Sequence, residues 1–92
     1  LFRSAETVEA AKNFLTSNVF DRLKEQKYFT SSDNLQALCS GLELTAFAAL
    51  HRSDNKNINR WKSVIIEVKQ AKELLDRNVQ TKLVYLHLAT HI

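Results

Sequence analysis

The chain has 92 residues, 45% hydrophobic and 25% charged, with a formal net charge of +3. That length holds one domain rather than two, and the composition excludes a disordered chain. No run of roughly 18 uncharged apolar residues occurs, so no membrane span is expected, and Leu1-Phe2-Arg3-Ser4 lacks the apolar core of a signal peptide.

There is no Pro and a single Gly, Gly41. Tight hairpin turns favour both residues, so the expected fold class is all-α, a single compact bundle of about five helices over residues 1–92. Ser4 is placed to cap the first helix, with Glu6 and Glu9 near its positive end. Val8, Ala11, Phe14 and Leu15 follow at helical spacing. Thr16-Ser17-Asn18 interrupts that helix, because all three residue types favour caps and turns. A second helix is expected from Val19 to about Tyr28, with Val19, Phe20 and Leu23 inside and Asp21, Arg22, Lys24 and Glu25 outside.

Thr30-Ser31-Ser32-Asp33-Asn34 reads as a loop, and Asp33 with Gln36 resembles a capping box for a third helix ending near Arg52. Its stripe is Leu35, Leu38, Cys39, Leu42, Ala46, Ala49 and Leu50. Gly41 inside it costs about 1 kcal/mol relative to Ala. Ser53-Asp54-Asn55-Lys56-Asn57 is the next loop, with Asn57 as a cap. The fourth helix, 58–77, has the clearest pattern: Ile58, Trp61, Val64, Ile65, Val68, Ala71, Leu74 and Leu75. Asn78 breaks it. The last helix, from Val79, carries Val79, Leu83, Val84, Leu86, Leu88, Ala89 and Ile92 nearly all round, which predicts burial on more than one side.

Few residues carry chemistry. One glycine cannot build a phosphate-binding loop, and one cysteine cannot build a multi-cysteine zinc site or an intramolecular disulfide. A lone Cys fits an intracellular protein, and the expected location is cytoplasmic. Cys39 lies on an apolar stripe and reads as a small hydrophobe rather than a nucleophile. His87 and His91 stand at i and i+4, but Leu88-Ala89-Thr90 between them makes no HExxH motif, so ordinary roles are favoured. No catalytic, cofactor-binding or metal-ligating residue is expected, and the chain is read as non-enzymatic.

Trp61, the single tryptophan, reads first as core and second as an interface anchor. Residues 1–51 carry five Lys/Arg against six Asp/Glu, and residues 52–92 carry eight against four. Arg60, Lys62, Lys69, Lys72, Arg77 and Lys82 could form a phosphate-facing strip. Glu67, Glu73 and Asp76 interleave with them and argue against direct nucleic-acid contact. A nucleic-acid module reading through helix 58–77 therefore stands as an alternative. So does a helix-groove adaptor using the small residues near Gly41 and Ala46–Ala49.

A more specific likeness lies in the last third. Trp61, Val64/Ile65, Val68, Ala71, Leu74/Leu75, then Asn78-Val79-Gln80-Thr81-Lys82-Leu83-Val84-Tyr85-Leu86-His87-Leu88 resembles the end of bacterial clamp-loader subunits. In the delta-prime and delta subunits of DNA polymerase III, an amphipathic helix, an Asn-containing break and a Leu-rich helix close the chain. Ala10-Ala11-Lys12-Asn13-Phe14-Leu15 and Ser17-Asn18-Val19-Phe20-Asp21-Arg22-Leu23 resemble the start of the delta-prime C-terminal domain. Tyr85 departs from the acidic residue usual before the final Leu pair. The resemblance implies a helical collar domain that holds the five loader subunits together, with ATP binding on other domains. Partners would be the other clamp-loader subunits, with no membrane. The candidate partner interface is Trp61, Arg60, Lys69, Lys82 and Tyr85. The absence of Met suits a C-terminal piece of a longer protein.

Overall fold

The computed structural model describes residues 4–52 and 57–92, with side chains from Thr7 onward in the first stretch. The described residues form five α-helices and one 3-10 turn, without strands: α1 (Ser4–Thr16), α2 (Val19–Lys24) running into the 3-10 turn Glu25–Tyr28, α3 (Ser32–Leu50), α4 (Ile58–Asp76) and α5 (Thr81–His91). The expected Ser4 cap, the Glu6 side chain and the loop residues 53–56 lie outside the described residues.

α3 is the central helix, packed along both α1 and α4; α4 packs on α5, and α5 carries α2 on its other flank. The core joins Ala11, Phe14 and Leu15 of α1, the α3 stripe, the α4 stripe, and Val84, Tyr85, Leu88 and Ala89 of α5. Each stripe was legible at period 3.6, because each long helix buries one face. Gly41 marks the closest approach. A Cβ there would run into the Thr7 carbonyl oxygen and lie 2.9 Å from Thr7 Cγ2, so α1 rests directly on this turn of α3. Gly41, expected to help line an adaptor groove, is thus covered by the protein's own α1; Ala46 and Ala49 are buried, while Ala48 is exposed.

Several helix ends are closed by side-chain hydrogen bonds to backbone groups that lack an intrahelical partner. At the end of α1, Thr16 Oγ1 donates to the Lys12 carbonyl (2.9 Å) and Ser17 Oγ to the Asn13 carbonyl (2.6 Å). These side-chain bonds compete with continuation of the helix. Asn18 Oδ1 then accepts from the Asp21 N–H at 2.8 Å and starts α2. α3 is capped by Ser31, whose Oγ accepts from the Asn34 N–H at 3.1 Å, and not by Asp33; the helix begins at Ser32, which places Asp33 in the first turn. Asn57 makes no side-chain cap bond.

The α4–α5 corner is a Schellman motif. Asn78 takes φ 61°, its N–H donates to the Leu75 carbonyl (3.0 Å), and the Val79 N–H reaches the Leu74 carbonyl (3.1 Å). Asn tolerates this left-handed geometry better than most side chains, and the partly buried Leu74 and Val79 supply the accompanying apolar contact.

Two expectations are corrected. On α2, Arg22 is buried at only 5% exposed, whereas Val19, Leu23 and above all Phe20, 67% exposed, face outward; Asp21, Lys24 and Glu25 are exposed as expected. α2 has six residues, too few for a periodic pattern to choose its buried side. α5 is packed by both α4 and α2, but its apolar residues are not buried all round, since Leu83 and Leu86 remain exposed.

Candidate functional site

The buried guanidinium of Arg22 organises one end of the bundle. Its Nε donates to the Phe14 carbonyl at 2.7 Å and its Nη1 to the Ala89 carbonyl at 3.1 Å. Both carbonyls belong to last turns, one of α1 and one of α5, where backbone acceptors lack intrahelical donors and the helix dipoles are negative. Arg60 Nη2 adds a bond to the next α1 carbonyl, Leu15, at 3.0 Å. Burial, then the charge of Arg60, lowers the Arg22 pKa from its usual value. An arginine nevertheless stays protonated, so a cation with no carboxylate partner among the described residues is held here by helix ends.

Tyr85 completes the arrangement. Its hydroxyl donates to the Arg22 carbonyl at 2.7 Å, its ring stacks on Phe29 (5.2 Å between centroids), and it meets Phe14 edge-on at 5.9 Å. Burial, reinforced by the charge of Glu25, pushes its phenol up to about 12. An open cleft of about 480 Å³ beside this cluster is lined by Phe14, Arg22, Glu25, Tyr28 and Tyr85, among others. Cationic Arg22 and anionic Glu25 share its wall, so it favours neither sign of ligand.

A second groove, about 370 Å³, runs between the α2–3-10 segment and the first turn of α5. Leu23 and Phe29 form its apolar wall, with Lys24, Lys27 and Lys82 around it. Gln26 Nε2 to the Lys82 carbonyl (3.3 Å) and Thr81 Oγ1 to the Thr30 carbonyl (2.8 Å) tie its sides together. Outside it, Val19 and Phe20 of α2 and Leu83 and Leu86 of the adjacent α5 are exposed, and Leu23 on its wall is partly exposed as well. Leu44 and Phe47, one turn apart on α3, form a separate exposed apolar surface.

The residues expected at a partner interface are scattered. Arg60 lies over the Trp61 ring at 5.5 Å, and Trp61 is half-buried against the core. Lys69 is exposed on α4, and Lys82 lines the α2–α5 groove. Tyr85 is 0% exposed and is corrected to core, because the Arg22 carbonyl and two aromatic rings enclose it. The basic strip is broken as well: Arg60 is committed to a helix end, Lys72 pairs with Glu43 at 3.2 Å, and Arg77 pairs with Glu73 at 2.8 Å.

Cys39 is fully buried, and burial pushes its thiol up to about 12, which leaves negligible thiolate near neutrality. His87 Nε2 lies 2.7 Å from Glu67 Oε2, and the His87 and His91 rings stack at 4.0 Å. Among the described residues no three His, Cys, Asp or Glu side chains gather as a metal site, and no helix is long and apolar enough to cross a membrane. The reading from sequence missed Arg22 and the outward apolar face of α2. Comparison with known protein families, curated proteins and solved structures returned no match.

Proposed function

We propose that this domain is a non-catalytic assembly module, the collar domain of a DNA polymerase III clamp-loader subunit of delta-prime or delta type. The observation that carries the assembly reading is the exposed apolar surface of Val19, Phe20, Leu23, Leu83 and Leu86 on two neighbouring helices. Large exposed side chains grouped on one surface are the mark of a protein contact. A subunit in a ring needs two unlike contact surfaces, and Leu44 with Phe47 on α3 offers the second. The clamp-loader identity rests on the resemblance of the segment from Trp61 to Leu88, with the Asn78 corner and the Leu-rich α5. In this role the domain binds no nucleotide and performs no reaction; it holds subunits that load the sliding clamp on primed DNA.

The test is reconstitution. The full chain is mixed with purified clamp-loader subunits from its own source, and complex mass is followed by light scattering after size exclusion. Entry into the complex is expected, together with exclusion of a Leu23→Asp/Leu86→Asp variant that keeps its melting temperature. A full chain that stays apart from the loader subunits rules the clamp-loader reading out.

A further inference from the structure

The groove between α2 and the start of α5 combines features that specify its occupant. It is large enough for one bulky side chain, with Leu23 and Phe29 on its wall. Lys24, Lys27 and Lys82 line it with no acidic residue among them. None of the three is ion-paired with a carboxylate among the described residues, where the ion pairs are Lys72–Glu43, Arg77–Glu73 and His87–Glu67. The first turn of α5 opens here, Gln80 gives it no side-chain cap, and its backbone N–H groups add partial positive charge. Three lysines without a carboxylate partner among the described residues, beside an apolar slot, are complementary to carboxylates flanking an apolar side chain.

We propose that this groove docks a segment of a partner protein in which a large apolar residue is flanked by Asp or Glu. The inference rests on the reading of the domain as an assembly module and names the chemistry of one of its partners. Carboxylates are favoured over nucleic-acid phosphates for two reasons. The apolar wall and the exposed Phe20, Val19 and Leu86 beside it would be left uncovered by a phosphate backbone, whose protein contacts are more polar. Base stacking is also obstructed: Lys24 Nζ sits over the Phe20 ring at 4.7 Å and Lys27 Nζ over the Tyr28 ring at 5.2 Å, occupying a face of each. An acidic segment can approach those ammonium groups without displacing them, while its apolar side chain enters between Leu23 and Phe29.

The experiment is fluorescence anisotropy with the full chain. The probe is a fluorescein-labelled helical peptide of roughly 16 residues built from Leu, Ala and Glu, with the leucines on one face. Binding is expected, weakening as salt rises because the lysines are exposed. Lys24→Glu/Lys27→Glu/Lys82→Glu should weaken it roughly tenfold or more, while Lys12→Glu, on exposed α1 surface, leaves it unchanged. A peptide with Gln in place of Glu should lose a similar factor, which tests charge without any change to the protein. The proposal is overturned if the Glu peptide fails to bind, if Lys-for-Glu or Gln-for-Glu peptides bind equally well, or if the triple variant binds undiminished. Competition by a single-stranded oligonucleotide at lower concentration than the peptide also overturns it, in favour of phosphate. A chain that joins the loader but ignores the peptide refutes the groove alone; one that binds the peptide but stays out of the loader refutes the clamp-loader identity alone.

Discussion

Arg22 and Phe20 lie two residues apart on α2, and exchanging their expected roles gives a sharp test. Replacing Arg22 by Met keeps most of the aliphatic stem and removes the guanidinium. Two hydrogen bonds from a charged donor are lost, to the Phe14 carbonyl at 2.7 Å and the Ala89 carbonyl at 3.1 Å. Each is worth about 1.5–3 kcal/mol, and the two carbonyls are left buried at helix ends. The contact of the guanidinium with the Phe14 ring, at 4.5 Å, is lost too. Against this, Met avoids the desolvation of a buried cation, which costs several kcal/mol. The net expectation is a loss of about 2–4 kcal/mol, and at about 5 °C per kcal/mol for a domain of this size the melting temperature falls on the order of 10–20 °C. Phe20→Ala, at a position 67% exposed, should change stability by no more than about 0.5 kcal/mol. Thermal denaturation followed by circular dichroism, on both variants and the parent, is sufficient. If Phe20→Ala is the damaging change and Arg22→Met is silent, α2 packs with its other face inward and the account of this end of the bundle is wrong.

Gly41→Ala should destabilise by about 1–3 kcal/mol although Ala is the better helix former, because its methyl meets the α1 backbone at Thr7; a gain in urea midpoint would show that α1 stands off α3. Asn78→Gly should be tolerated, whereas Asn78→Val should cost about 1–2 kcal/mol through its φ of 61°; equal melting temperatures for the two would argue against the Schellman corner. Burial holds Tyr85 up at about 12 from 10.0 and Cys39 up at about 12 from 9.0, so the unfolded chain sheds these protons first. Stability from both groups is therefore complete below about pH 9 and is lost as pH rises from there toward 12. Urea denaturation across that range should show the decline, and a Tyr85→Phe/Cys39→Ala variant should show less of it; a flat parent profile would contradict the burial of both groups.

The three long helices were readable because each one alone repeats its apolar residues over several turns. The periodicity of Leu35 to Ala49 and of Val64 to Leu75 states which face must leave water, whatever it packs against. Asn78 was readable for a local reason too, since a left-handed corner favours Asn or Gly wherever the chain places it. The breaks at Thr16–Asn18 and Thr30–Asn34 belong to the same class: side chains there compete with the adjoining backbone.

What escaped the sequence depends on groups far apart in the chain. Arg22 is internal because two helix ends, at Phe14 and at Ala89, meet beside it with unpaired carbonyls; nothing within its own six-residue helix could announce that. Tyr85 moved from expected surface to core for the same reason, as its hydroxyl found the Arg22 carbonyl 63 positions away. Gly41 looked like a helix cost and proved to be the space α1 occupies. Lys24, Lys27 and Lys82 became one groove only once α5 folded back against α2. Local composition and periodicity thus determined the helices and their corners, because those energies arise within a few turns of chain. The buried cation, the close approach at Gly41 and the candidate surfaces were decided by tertiary packing, which alone sets which helix ends and side chains lose their water together.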